Sequence, residues 1–328
     1  MKTEDSGTNV PLLKLHEPAE LVAAVPYLLG FHPADSAVLL CLDDRRLVLM
    51  TRVDLADVFA PQAGSLFPDL LWRARTLGAD RVLALVYATR LRAERARRPL
   101  AAHLGRWLDL LLLVDHAAGR WWEAGAAAGD PGQPIPGTAP DAANPVAAWA
   151  EAHGLGPVAE SRDDLLAALA PPRGEREDAM MALWAATEAK LADFSPDDLV
   201  AAMDRFVGAP DSGWADADYL LAAQLARDPY LRDRLWWQVT PETARPQLRF
   251  WEEVVRRVPL PHRVGPLAIV GFLAWQAGEG ALMSVCHEEC LRLNPDAPVV
   301  GLLSTIRQNW NDPAEWTLAQ EAYEKLAA

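Results

Sequence analysis

The chain has 328 residues, 51 % of them hydrophobic, and 45 Asp and Glu against 31 Lys and Arg give a formal net charge of −14. At about 100–200 residues per domain, this length predicts two domains, and the apolar content excludes disorder for the bulk of the chain. The charge is uneven: residues 1–126 carry 15 basic and 15 acidic side chains, whereas residues 127–328 carry 16 and 30. An acidic field repels phosphate backbones, so nucleic acid is not an expected partner.

The N-terminus, MKTEDSGTNVP, has Glu4 and Asp5 and no apolar run behind Lys2, unlike a secretory signal, so a cytoplasmic location is expected. The apolar stretch 264–278 is shorter than the roughly 20 residues of a membrane helix, and no membrane association is expected. Cys41, Cys286 and Cys290 are too few for a disulfide framework and read as small buried hydrophobes.

In chain order, residues 17–29 predict a helix, with Leu21, Val22, Val25, Leu28 and Leu29 on one stripe, Pro18 in the first turn and Pro26 bending or ending it. Residues 36–42 and 47–53 predict a strand hairpin around Asp43-Asp44-Arg45-Arg46. A helix over 67–77, a strand over 81–87, a helix over about 98–107 and two strands over 110–114 and 120–123 follow. The arginines Arg90, Arg92, Arg95, Arg97 and Arg98 read as a solvated loop and first helical turn, since no aromatic residue stands between them to stack a base. Hairpins require antiparallel pairs and helical crossovers allow parallel ones, so the first part predicts an α/β sandwich with a mixed sheet over 1–126.

Residues 127–145, with Pro131, Pro134, Pro136, Pro140 and Pro145, predict a linker or long loop. An acidic all-helical domain over 146–328 is expected beyond it, giving a mixed α+β chain overall. Helix starts are marked by Ser161 with Asp164, Ser195-Pro196 with Asp198, Thr240-Pro241, and Asp312-Pro313 with Glu315. The helical hairpin over 263–293, with Gly271, Gly278 and Pro295, resembles a single tetratricopeptide repeat.

The run PAELVAAVPYLLGFHPADS at 18–36, TRVDL at 51–55, GRWW at 119–122 and AWQAGEGAL at 274–282 resemble the bacterial domain-of-unknown-function 4192 family. The resemblance spans essentially the whole chain. It implies no activity and assigns no residue a role.

His32, Asp35 and Ser36 cluster at a helix-to-strand junction, a location where α/β folds bind ligands. His32 as general base with Asp35 orienting it and Ser36 as nucleophile would make a hydrolase or transferase; the same residues also make an ordinary turn that sets the helix against the sheet. Arg52 and Asp54 share a strand face and are candidate ligand contacts, as are Arg120, Trp121 and Trp122, where adjacency predicts one tryptophan in the core and one covering a surface or pocket. Cys286, His287 and Cys290 are not expected to bind metal, because His287 lies about 100° around the helix from Cys286 and no second cysteine pair exists. No HExxH, phosphate-loop, GxSxG or dinucleotide fingerprint occurs, and no cofactor is expected. The expected function is therefore a cytoplasmic ligand- or protein-binding protein, with a partner surface on the acidic helices, and the alternative is an enzyme acting at the strand ends through His32 and Asp35.

Overall fold

The computed structural model describes residues 15–137, 144–152, 157–309, 313, 316–318, 320 and 321. The chain divides into two compact units, Met1–Ser161 and Arg162–Ala328, each described by itself.

The first unit opens with α1 (Pro18–Leu29), whose Glu20 carboxylate accepts from the free backbone N–H groups of His16 and Glu17. Pro26 is accommodated in the last turn, and the helix stops at Gly30, whose φ of 79° lets its N–H close back onto the Pro26 carbonyl. Then come β1 (Ser36–Asp43) and β2 (Arg46–Asp54), joined by a tight turn in which Asp44 is left-handed. They are followed by α2 (Leu55–Phe59), α3 (Ala63–Thr76), β3 (Arg81–Tyr87), α4 (Arg90–Leu104), β4 (Leu108–Asp115), β5 (Arg120–Glu123), β6 (Gln133–Pro134) and α5 (Pro145–Ala152). The strands form one sheet in the order β2-β1-β3-β4-β5-β6, parallel only between β3 and β4 and antiparallel elsewhere.

Because strand side chains alternate, each strand feeds two cores. Ala37, Leu39, Cys41, Val82, Ala84, Val86 and Trp122 pack with Phe67, Leu70 and Ala74 of α3 and Ala93, Ala96 and Leu100 of α4. Val38, Leu40, Leu85, Tyr87, Leu112, Val114 and Trp121 pack on the opposite face against Val22 and Val25 of α1. Helix α5 packs on α1, and Phe31 pairs with Ala159, so this unit continues past the Pro/Gly-rich stretch.

Two expected elements differ. Helix α4 begins at Arg90, so the five arginines are helical throughout; its buried stripe uses alanines, which give little apolar periodicity. Trp121 and Trp122 are both buried, one in each core, because β5 is covered on both faces.

The second unit comprises α6 (Arg162–Ala167), α7 (Glu175–Leu191), α8 (Pro196–Gly208), α9 (Asp216–Leu225), α10 (Pro229–Gln238), α11 (Pro241–Arg257), α12 (Val264–Gln276), α13 (Gly280–Leu293) and α14 (Pro298–Asn309). Helix α8 starts with Ser195 Oγ accepting from Asp198 N–H while the Asp198 carboxylate accepts from Ser195 N–H. Helix α12 is buried on every side, and a Cβ on Gly271 would stand 2.9 Å from Leu303 Cδ1 and 3.3 Å from Cys286 Cβ, so glycine lets α13 and α14 close on it. The helix start expected at Asp312 and Glu315, like Pro140 of the Pro/Gly-rich stretch and the first 14 residues, lies outside the described residues. The whole is a mixed α+β fold.

Candidate functional site

The sheet register aligns one row of side chains on the α1 face, at the carboxyl end of the parallel pair. Asp54 stands opposite Ser36, Ser36 opposite Tyr87, Tyr87 beside Val114, and Val114 opposite Trp121. Ser36, Tyr87 and Trp121 are 0, 3 and 5 % exposed, and among the described residues Ser36 Oγ, the Tyr87 hydroxyl and Trp121 Nε1 have no hydrogen-bond partner. A buried polar atom without a partner costs free energy, and three in one row are unusual in a well-packed core. Burial pushes the Tyr87 phenol far above its ordinary pKa, so it stays protonated and can donate.

His32 follows α1 and stacks on His116, which follows β4, with ring centroids 4.6 Å apart. Its backbone is fixed by pairing with the strand-like segment at Ala159, whose carbonyl accepts from His32 N–H at 2.9 Å. His32 Nδ1 is buried and also lacks a partner. Burial and then the charge of His116 hold the His32 imidazole below its ordinary pKa, against a smaller opposing pull from Glu160. Asp35 adopts a left-handed φ of 44°, and its carboxylate meets Arg92 Nε of α4 at 3.1 Å. The structure thus brings His32 to His116 and Asp35 to Arg92, and does not form the His32–Asp35 couple that acid–base catalysis by these residues would use.

Arg52 and Asp54 do form the expected same-face pair, with Nη2 to Oδ1 at 2.5 Å; the Arg52 guanidinium also lies 5.9 Å from the Phe31 ring centre. Arg52 Nε is buried and unpartnered. Asp115 bridges the start of α4 and the β4–β5 turn, its two oxygens accepting from Arg90 N–H and Ala118 N–H. On the other face, Arg90 lies 4.5 Å over the Trp122 ring and donates to the carbonyls of Ala127 and Asp130, while Trp122 Nε1 donates to Asp130 O. Arg120 donates to Gly132 O at 3.2 Å. Arg120 and Trp122 therefore hold the loop after β5, and only Trp121 of that trio belongs to the row. The sequence gives Tyr87 and His116 no site role and shows Arg92 only as one of a solvated arginine run; the one signal for Tyr87 is a hydroxyl-bearing ring closing an otherwise apolar strand.

Comparison with known families decides the affiliation. The family described as "Domain of unknown function (DUF4192)" matches residues 18–314, nearly the whole chain. The chain belongs to the DUF4192 family. No curated protein and no solved structure matches it.

Elsewhere in this DUF4192 chain, the second unit holds a Ser–His contact, His287 Nε2 to Ser304 Oγ at 2.8 Å. Its polarity is wrong for a nucleophile: Arg307 donates to His287 Nδ1 at 3.4 Å, which leaves Nε2 carrying the proton and donating to the serine. The contact joins α13 to α14. Cys286 and Cys290 lie in the helical core, with Cys290 Sγ donating to Val264 O, while His287 turns to Ser304; among the described residues no group of three or more His, Cys, Asp or Glu could hold a metal. Burial raises the Cys290 thiol to about 12, which leaves it unreactive. Two clefts of ≈ 750 and ≈ 700 Å³ flank Ala170-Pro171-Pro172-Arg173; of the arginines that line them, Arg256 and Arg257 are paired with Glu253 and Arg292 with Glu289. No helix among the described residues is long and apolar enough to cross a membrane.

Proposed function

We propose that this DUF4192 protein is a cytoplasmic binding protein that takes up a small polar molecule at the carboxyl end of its sheet, on the α1 face. One observation carries the proposal: Ser36, Tyr87 and Trp121, aligned across three strands, bury polar atoms that no group among the described residues satisfies. Unsatisfied polar groups on one face of rigid strands are what a ligand with matching groups completes, and strand ends of this kind are where α/β sheets place ligands. His32 and His116 stand at the same end, and the exposed Asp35–Arg92 pair places charge beside it.

The test is a thermal-shift screen of the full chain against metabolites, repeated on Tyr87→Phe and Ser36→Ala. A ligand at 100 times its Kd stabilises the folded state by about 2.7 kcal/mol. A stabilising compound whose effect is lost in both variants is the expected result. Compounds that stabilise the parent and both variants equally, or none at all, overturn the assignment.

A further inference from the structure

We infer that the ligand at the sheet end presents an oxyanion, a carboxylate or a phosphate, to hydrogen-bond donors supplied by the Ser36–Tyr87–Trp121 row and Arg52; this rests on the small-molecule assignment above.

The donor inventory carries the inference. The Trp121 indole N–H and the Arg52 Nε–H can only donate, and both are buried without an acceptor among the described residues. The Ser36 and Tyr87 hydroxyls each have a proton to give and no acceptor for it among the described residues. A ligand made of donors, or a cation, would leave the indole and the guanidinium N–H unsatisfied, whereas an oxyanion accepts from several donors at once and gains from the charge.

The neighbouring acids point the same way, because they are engaged already. Asp54, at the end of the row, is paired with Arg52, and Asp35 with Arg92. Both Asp115 oxygens accept backbone N–H groups. Glu160 remains, exposed at the surface beside His32. Among the described residues, no carboxylate is thus left over inside the row to hold a cation. Asp115 also occupies the first N–H of α4.

The experiment uses the full chain, labelled with ¹⁵N, and follows the indole N–H signal of Trp121, identified by its disappearance in Trp121→Phe. Sodium acetate, sodium succinate and inorganic phosphate are titrated at constant ionic strength, with acetamide and ethylammonium chloride as neutral and cationic comparators. The expected result is a saturable downfield movement of the Trp121 indole proton with the oxyanions alone. Whether acetate and succinate or phosphate saturates first separates carboxylate from phosphate. Tyr87→Phe and Ser36→Ala, checked for fold by their backbone spectra, should each weaken binding about tenfold, the loss of one hydrogen bond to a charged group. If acetamide or ethylammonium saturates the signal and the anions do not, the oxyanion class is wrong while the site stands. If no probe moves Trp121, the site itself is wrong. A shift linear in anion concentration, or unchanged in both variants, shows an adventitious ion only and overturns the inference.

Discussion

Ser36 and Tyr87 stand directly opposite each other in the β1–β3 ladder, and neither buried hydroxyl has a hydrogen-bond partner among the described residues. Folding takes both away from bulk solvent, and no group among the described residues replaces it. Tyr87→Phe removes the orphan hydroxyl without leaving a large cavity, so the unliganded variant should be more stable by about 1–2 kcal/mol, the desolvation cost recovered. Ser36→Ala should act in the same direction. Urea melts of the free proteins decide this: stabilised variants that bind less tightly mark groups kept for a ligand, whereas destabilised variants mean that the hydroxyls serve the fold.

Why the row is hard to read from sequence follows from how it is made. Strands β1 to β5 are legible because their apolar runs are continuous, and the α8 and α11 starts are legible because their caps are local. Ser36, Tyr87 and Trp121 come from three separate strands and meet only through register, which no local pattern encodes. The cluster at 32–36 is legible as a junction, but His32 and Asp35 find their partners, His116 and Arg92, on β4's following turn and on α4. The start of α4 is missed because Ala93 and Ala96 form the buried stripe where larger apolar side chains would have declared it.

The His32–His116 stack makes stability depend on pH. His32 titrates below its ordinary value when folded, through burial first and His116 second. The unfolded chain therefore binds the proton more readily, so stability is unaffected well above pH about 6.5 and falls as pH drops through it toward the folded value. His262, stacked on Trp184, and His287 shift in the same direction through burial, so the measurement must be a difference. Between about pH 7.5 and 5.5, the denaturation midpoint of His32→Gln should fall less than that of the parent. Parallel curves for the two proteins would remove His32 from the account.

Gly132 and Trp122 fix the loop after β5. Gly132 has a φ of 73°, and a Cβ built on it would lie 2.4 Å from Trp122 Cε2. The ring cannot yield, because Nε1 is bonded to Asp130 O and the Arg90 guanidinium covers its face. Gly132→Ala therefore combines backbone strain with overpacking and should cost about 3 kcal/mol. Arg90→Lys keeps the charge but cannot reach both the Ala127 and Asp130 carbonyls, and should cost about 1 kcal/mol. Tryptophan fluorescence during urea unfolding measures both, and a Gly132→Ala protein as stable as the parent would show that the loop moves aside freely.

Arg263 presents the corresponding problem in the helical unit, a guanidinium 2 % exposed and without a carboxylate bonded to it among the described residues. Burial lowers its pKa to about 10, so it remains charged at neutral pH. Its Nη1 and Nη2 donate to Val255 O, in the last turn of α11, and to Leu169 O, just beyond α6. Carbonyls at a helix end have no partner in their own helix and carry the negative end of its dipole, so one fork satisfies a carbonyl at the α11 terminus and another just past the α6 terminus. Arg263→Leu removes the cation but strands both carbonyls, and should cost about 3 kcal/mol. Arg263→Lys delivers the charge to one carbonyl and should recover part of that loss. Urea midpoints ordered parent, Arg263→Lys, Arg263→Leu are expected; a leucine variant matching the parent would mean that the two termini need no cation.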